Sequence, residues 1–182
     1  MRYTRIIKRK LPLSLKLARQ HLRVGDDRSS DALIEAKLEM AVGVAEDFTG
    51  RIIRERYVEF DVLLDVGDET VSLPSHTSGI AEVSCSGKVI PKDEYVFMAG
   101  DYSVLLMFLQ PGKYSGQTIR IKSYEGYSRE TIPAPIKAAI LLILGTLYDN
   151  ESDQIVGRSV SELSLTAEKL LAPWRITPYG NV

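Results

Sequence analysis

Cysteine and histidine, the residues that most often bind zinc or serve as nucleophile and base, are rare in this chain. Its 182 residues include one cysteine, Cys85, and two histidines, His21 and His76. Zinc sites place cysteines or histidines at short fixed spacings, and neither C-x-x-C nor H-x-x-x-H occurs here. The motifs of phosphate-binding loops, dinucleotide-binding folds and serine hydrolases are also missing. The sequence therefore predicts a non-enzymatic protein with no catalytic residues, no metal site and no cofactor.

Cys85 is expected to be a buried, unreactive thiol, and a nucleophilic role is the alternative. A single cysteine cannot form an intramolecular disulfide, which fits a reducing cytoplasm.

The formal net charge is −1, so no global field favours nucleic acid or a membrane surface. The longest apolar run, residues 138–144, is far shorter than the roughly 20 residues of a membrane-spanning helix. We therefore expect no membrane partner.

A cluster of basic residues at the N-terminus is the first candidate binding feature. The five residues are Arg2, Arg5, Lys8, Arg9 and Lys10. Because the segment lacks clear amphipathic order, we predict an N-terminal arm, residues 1–10, that is mobile or docked on a neighbour. Basic residues at this density can neutralise phosphates, so the segment is a possible DNA contact. Apart from Tyr3, no aromatic residue accompanies them to stack on bases. Contact with an acidic partner protein, or with solvent alone, is the alternative.

The C-terminal tail, residues 174–182, is the second candidate. It carries Trp174, Arg175, Ile176 and Tyr179 directly after Pro173, in a segment too short to form a core of its own. Aromatic residues beside an arginine are typical of hot spots in protein interfaces. The alternative is that Trp174 folds back on its own chain as an intramolecular lid.

Helical patterns occupy both ends of the chain. We predict a short helix after Ser14, a longer one at about 31–49, and a last one at about 164–171. Ser14 is a plausible N-cap for the first, Ser29 or Ser30 for the second, and Ser164 or Thr166 for the last. The second helix has one apolar stripe, formed by Ile34, Leu38, Ala41, Ala45 and Phe48. Gly50 suits the left-handed position that ends many helices.

A further helix is predicted at 132–150, where Pro133 and Pro135 suit a helix start. One stripe is formed by Ile136, Ile140, Ile143 and Leu147. Three leucines, Leu141, Leu142 and Leu144, add apolar surface on other faces. A helix that is apolar nearly all round must be covered on several sides. These leucines are therefore a possible subunit interface, and burial within their own chain is the alternative.

The middle of the chain has the two-residue period of strands. Short alternating segments between residues 57 and 124 are separated by turn residues, which predicts an antiparallel sandwich or a small open barrel. The fold class is therefore α+β, a helical body from both chain ends with an inserted antiparallel β-rich module. The predicted segments are the arm at 1–10, helical body at 11–56, insertion at 57–124, helical body at 125–173 and tail at 174–182.

Four segments, in this order and spacing, resemble the head–tail connector (adaptor) proteins of tailed phages and prophages. They are Leu15–Val24 (LKLARQHLRV), Ala45–Arg51 (AEDFTGR), Ile132–Asn150 (IPAPIKAAILLILGTLYDN) and Leu170–Ile176 (LLAPWRI). The resemblance covers about residues 11–176. Each segment alone is a weak signal, and their order around the strand-rich middle makes the set fairly specific. The basic arm is not part of the family pattern.

The resemblance implies a structural protein of the virion neck, assembled in the host cytoplasm. It implies a closed ring of about twelve copies around the DNA channel, since a head-to-tail interface that closes generates a ring. The implied partners are the portal protein, a tail or stopper protein, and DNA that passes without sequence-specific binding. The C-terminal segment, with Trp174, Arg175, Ile176 and Tyr179, is implied to dock on the portal. The alternative function is a DNA-binding accessory protein that acts through the basic arm.

Overall fold

The computed structural model describes residues 2–25, 28–100, 103–149 and 164–176, and for residues 2–9 it describes the backbone alone. The chain forms two compact units, and each is built from two separate stretches of sequence. Met1–Lys10 and Arg54–Gly126 form the β unit, whereas Leu11–Ile53 and Tyr127–Val182 form the helical unit. The predicted α+β class is confirmed.

The helical unit contains α1 (Leu15–Leu22), α2 (Asp31–Thr49), α3 (Ala134–Asp149) and α4 (Leu165–Leu171), followed by a 3-10 turn at Ala172–Trp174. The Ser14 hydroxyl accepts a hydrogen bond from the Leu17 N–H at 3.2 Å, and Ser164 caps α4 in the same way. Ser30 stands at the N-cap of α2 without a side-chain capping bond, because its backbone is not extended there. Local capping therefore sets the start of α1 and α4 but not of α2.

The core of the helical unit lies where the apolar stripes of α2 and α3 meet. The α2 stripe is buried as predicted at Ile34, Leu38, Ala41 and Ala45, while Phe48 is partly buried. Three of the four predicted stripe residues of α3, namely Ile136, Ile140 and Ile143, are buried as well, and Leu147 is partly buried. Helix α4 packs on α3 and buries Ala167 and Leu171. Residues from both stretches of the chain that form this unit therefore share one buried core.

Over the described residues, the β unit contains eight strands. They are β1 (Arg2–Lys10), β2 (Glu55–Leu63), β3 (Thr70–Leu73), β4 (Thr77–Cys85), β5 (Lys88–Val89), β6 (Tyr95–Ala99), β7 (Val104–Phe108) and β8 (Thr118–Glu125). They form a large sheet of order β1-β2-β8-β4-β5 and a small sheet of order β3-β7-β6, with antiparallel pairing throughout. Alternate residues of both sheets, among them Phe60, Ile121, Leu106 and Phe108, share one buried core. The arrangement is that of a two-layer sandwich.

The N-terminal segment differs from the prediction of a mobile or neighbour-docked arm. Residues 2–10 form β1, the edge strand of the large sheet, and pair with β2. The register sets three basic residues opposite carboxylates: Arg2 opposite Asp61, Arg5 opposite Glu59, and Lys10 opposite Glu55. Opposite charges on directly opposed residues stabilise antiparallel strands. Two further basic residues do not follow this pattern, since Lys8 is opposite Tyr57 and Arg9 is opposite Arg56, so the backbone pairing with β2 is what places this segment in the sheet.

Candidate interaction surfaces

The first residues of the C-terminal tail lie on the end of α2. The Ile176 N–H donates a hydrogen bond to the Thr49 carbonyl at 2.7 Å, and the Arg51 side chain donates to the Trp174 carbonyl. The Arg175 guanidinium stands over the Phe48 ring, 5.5 Å from its centroid. Trp174 is partly buried against the helical core, as the lid alternative supposed. Tyr179 lies outside the described residues.

The way α2 ends explains why the tail can dock there. Gly50 has a φ of +68°, and its N–H closes the helix on the Glu46 carbonyl at 2.8 Å. That backbone conformation suits glycine, since a side chain would strain it. The turn exposes the Thr49 carbonyl, one of the acceptors that a helix end leaves unpaired, to the Ile176 N–H. Arg175 and Ile176 are then presented at the surface, where Ile176 is 40% exposed.

The three leucines of the possible subunit interface on α3 have unequal exposure. Leu144 is completely buried in the helical unit, so it offers no surface to a second subunit. Leu141 and Leu142 are partly buried and also pack against the core of their own unit. The alternative of cover within the chain therefore holds for Leu144, because α1, α2 and α4 all pack on α3. What remains accessible on α3 is the side that carries Leu142 and the exposed Ala138.

The outer face of the large sheet is charged and largely paired. Arg120 on β8 lies 2.9 Å from Asp61 on β2, and Lys122 lies 2.8 Å from Glu82 on β4. The hydrogen bond from Arg120 lowers the pKa of Asp61, and the bond to Glu82 raises the pKa of Lys122. Arg120 and Lys122 are thus paired within the sheet, which weakens the case that this face binds DNA phosphates.

A buried carboxylate joins three parts of the β unit. Glu125, at the end of β8, is fully buried and accepts a hydrogen bond from the Arg56 Nε at 2.6 Å. The His76 Nε2 lies 3.3 Å from its other oxygen. Burial by itself would raise the pKa of Glu125, but His76 and Arg56 outweigh it and the pKa is lowered. The group ties β8 to β2 and to the residues before β4, which is a structural role.

The single cysteine and the surface beside it are held by contacts within the β unit. Cys85 is buried as expected, and its thiol lies 2.8 Å from the Gln117 Oε1. A surface depression of about 390 Å³ beside it is bordered by Asp61 and Arg120, which pair with each other. Among the described residues, no group of histidine, cysteine, aspartate and glutamate is placed to hold a metal ion. In the same part of the chain, no helix is long and apolar enough to cross a membrane.

Two exposed apolar surfaces of the structure were not predicted from the sequence. One is the outer side of α2, where Leu33, Met40 and Val44 are exposed although the helix has a well-formed inner stripe. A second apolar period in the 31–49 segment was the available signal. The other is the outer face of the small sheet, where Val96 and Met98 are exposed. That face could not be identified before the pairing of β6 with β7 was known.

Chains of gene transfer agent (GTA) particles have the same fold over their whole length. The neck of the empty GTA particle, computed with C6 symmetry, contains a chain that matches with a TM-score of 0.66 and 17% identity. Chains from the neck of the native GTA particle, computed with C12 symmetry, and from the virion of the native GTA particle match with TM-scores of 0.64 and 0.63, each at 16% identity. In all three comparisons, 100% of this chain and 99% of the other are covered.

No protein-family model matches this chain, and no curated protein matches it in sequence. The structural likeness thus shows the fold alone, a helical unit and a β unit, and the β unit includes β1 at the N-terminus as well as the segment between the helices. Because the likeness extends over both units and both chain ends, it is not the similarity of one common motif.

Proposed function

We propose that this protein is a structural head–tail connector (adaptor) in the neck of a tailed phage, prophage or phage-like particle. The observation that carries the proposal is the full-length match to chains of GTA necks, at TM-scores of 0.64 and 0.66. The four sequence segments that resemble phage adaptors support the same class of protein, because that resemblance rests on the sequence and does not use the fold. The paired charges of the large sheet are consistent with a scaffold rather than an active site.

The proposal includes a ring of about twelve copies around the DNA channel, because a head-to-tail contact that closes on itself generates a ring. The C6 and C12 symmetry of the neck reconstructions that contain the neighbouring chains supports this arrangement. The partners are then the portal protein on the head side and a tail or stopper protein on the other. DNA passes through the channel without sequence-specific contacts, and assembly takes place in the bacterial host cytoplasm.

The C-terminal segment is the proposed portal contact. Trp174 anchors the segment on the helical unit, and Arg175 and Ile176 are exposed beside it. Tyr179 follows in the sequence and completes the proposed contact set. An exposed arginine and isoleucine next to an aromatic anchor have the composition that interface hot spots favour.

Electron cryomicroscopy of particles that carry a tagged copy of this chain tests the neck assignment. We expect density for a ring of copies between the head portal and the tail. A tag at the tail tip or in the capsid shell, or a single copy per vertex, would contradict the proposal. Deletion of the gene should give filled heads that leak DNA or fail to join tails.

The portal contact is tested by Ile176→Asp, with Leu165→Asp as the matched control. Leu165 is also exposed, at 66%, but it lies at the start of α4. Ile176→Asp should weaken binding to purified portal by about tenfold or more, since a charge replaces an apolar contact at a hot spot. Truncation after Ala172 should weaken it further, and circular dichroism reports whether the truncated protein still folds. Equal portal binding by both aspartate variants would show that Ile176 is not part of the portal contact.

A further inference from the structure

Helix α2 has a second apolar stripe on the side opposite its buried one. Leu33, Ala36, Met40 and Val44 follow one another at steps of three, four and four, so they share one side of the helix. All four are exposed, with Leu33 at 41%, Met40 at 56% and Val44 at 36%. The exposed side of a helix at a protein surface is usually charged. This one is apolar over three turns, which is typical of a helix with a second partner.

Helix α3 also has an apolar side that its own unit leaves accessible. Ala134 and Ala138 are exposed and Leu142 is partly buried, at steps of four residues. Because α2 and α3 pack against each other through their inner stripes, the two outer sides point away from each other. One chain thus offers two different apolar helix faces on opposite sides of the same helix pair.

The borders of the two faces carry opposite charges. Glu35 and Asp47 on α2 are exposed. Beside α3 lies α1, which also contacts α2; its His21 approaches Gly145, and its exposed residues include Lys16, followed by Arg23 at its C-cap. An apolar face with an acidic border and another with a basic border are complementary. Two different faces on one chain form a heterologous contact, which generates rings when it closes.

We infer that the outer side of α2 in one copy binds the outer side of α3, with the adjoining basic residues of α1, in the next copy. The inference rests on the proposed function, because the ring supplies the second copy. It names the surfaces that form the ring, whereas the neck assignment does not depend on which surfaces these are. The small residues Ala36 on α2 and Ala138 on α3 allow the two helices to approach closely.

Cross-linking of two single-cysteine additions tests the contact directly. Met40→Cys and Ala138→Cys are prepared separately, mixed at high concentration and treated with a short bismaleimide. The wild type, whose buried Cys85 should not react, is the background control. The contact predicts dimers that contain one copy of each variant, in clear excess over dimers of either variant alone. Equal dimers from each variant alone would indicate a symmetric contact and overturn the inference, as would no dimers at all.

A matched pair of glutamate substitutions gives the energetic test. Met40→Glu places a charge in the proposed contact, whereas Val66→Glu places one at a side chain that is 89% exposed in the β unit. Sedimentation should show that Met40→Glu lowers the self-association constant by about tenfold or more, since a desolvated, unpaired carboxylate opposes binding. Val66→Glu should leave it unchanged. Because both positions are exposed, both variants should keep the unfolding temperature of the wild type.

The two proposals fail in different ways. If microscopy finds a ring in the neck while the two cysteine variants give no mixed dimers, the neck assignment stands and the α2–α3 contact is wrong. If mixed dimers form but the protein is absent from the neck, the contact is right and the proposed function is wrong. A monomer in which Met40→Cys resists maleimide would show that the chain itself covers α2, which also overturns the contact.

Discussion

The two units treat their outer surfaces in different ways. On the large sheet of the β unit, Arg120 pairs with Asp61 and Lys122 pairs with Glu82, so the chain pairs its own charges. On α2 of the helical unit, Leu33 and Met40 are exposed on a face that the other described residues leave uncovered. Charges paired across strands need no further partner in water. An apolar stripe gains free energy when it is covered, and for that reason the contact proposed above uses this face of α2.

The small sheet is intermediate between these two surfaces. On its outer face, Val96 lies opposite Met107, and Met98 lies opposite Leu105. Val96 and Met98 are 38% and 39% exposed, and their two partners are partly buried. The face is apolar like that of α2. The difference between charged and apolar outer faces is therefore found within the β unit as well as between the two units.

The largest expected effect is on stability, and it should differ between the inner and outer apolar stripes of α2. Leu38→Ala on the inner stripe should lower the free energy of unfolding by about 3 kcal/mol, because it leaves a cavity in a fully buried site. Met40→Ala, two residues away on the outer stripe, should change it by less than about 0.5 kcal/mol. Urea unfolding of the monomeric protein measures both values. Similar losses for the two variants would mean that the chain itself covers the outer stripe.

The next effect concerns the buried carboxylate of the β unit. Glu125→Gln should lower the free energy of unfolding by about 2 kcal/mol, because Arg56 and His76 lose their charged partner. Glu69→Gln, at an exposed turn position, is the control and should have no measurable effect. Thermal or urea unfolding at neutral pH gives the comparison. If Glu125→Gln left the free energy of unfolding unchanged, the cost of burying the Glu125 charge would equal the stabilisation from its bonds to Arg56 and His76.

The same carboxylate predicts a dependence on pH. The folded-state pKa of Glu125 is lowered from the ordinary value of 4.5, so its contribution to stability is fully present above pH 4.5. The contribution is lost as the pH falls below 4.5 through the lower, folded-state pKa. The stability difference between wild type and Glu125→Gln should therefore shrink steadily in acid. A difference that stays constant from neutral pH to pH 3 would contradict the assignment.

The smallest effect is expected on the charged face of the large sheet. Arg120→Ala removes a side chain that pairs with Asp61 and also lies 3.4 Å from Glu59. Because the Arg120 side chain is about half exposed, we expect a loss of less than about 1 kcal/mol, and less in high salt. Unfolding at low and high ionic strength measures it. A large, salt-independent loss would show that this face is covered by another surface in solution.

Local patterns in the sequence determined most of the secondary structure. The inner stripes of α2 and α3, the Ser14 cap and the strand-rich middle of the chain were predicted from period and turn chemistry alone, and Ser164 was one of two candidate caps for α4. These signals are readable because helix and strand periodicity and N-capping depend on neighbours only a few residues apart. The α+β class and the resemblance to phage adaptors followed from the order of these elements.

Only the tertiary structure decided what depends on distant residues. The basic residues of 2–10 suggested an arm, and the strand that pairs with this segment, β2, lies some 50 residues away in the sequence. Leu144 is covered by helices from both chain ends, and Trp174 rests on a core formed largely by α2 and α3. Whether an apolar residue is core or surface is set by which elements meet it. For that reason the sequence showed that α2 is rich in apolar residues, and only the fold showed that Leu33, Met40 and Val44 remain uncovered.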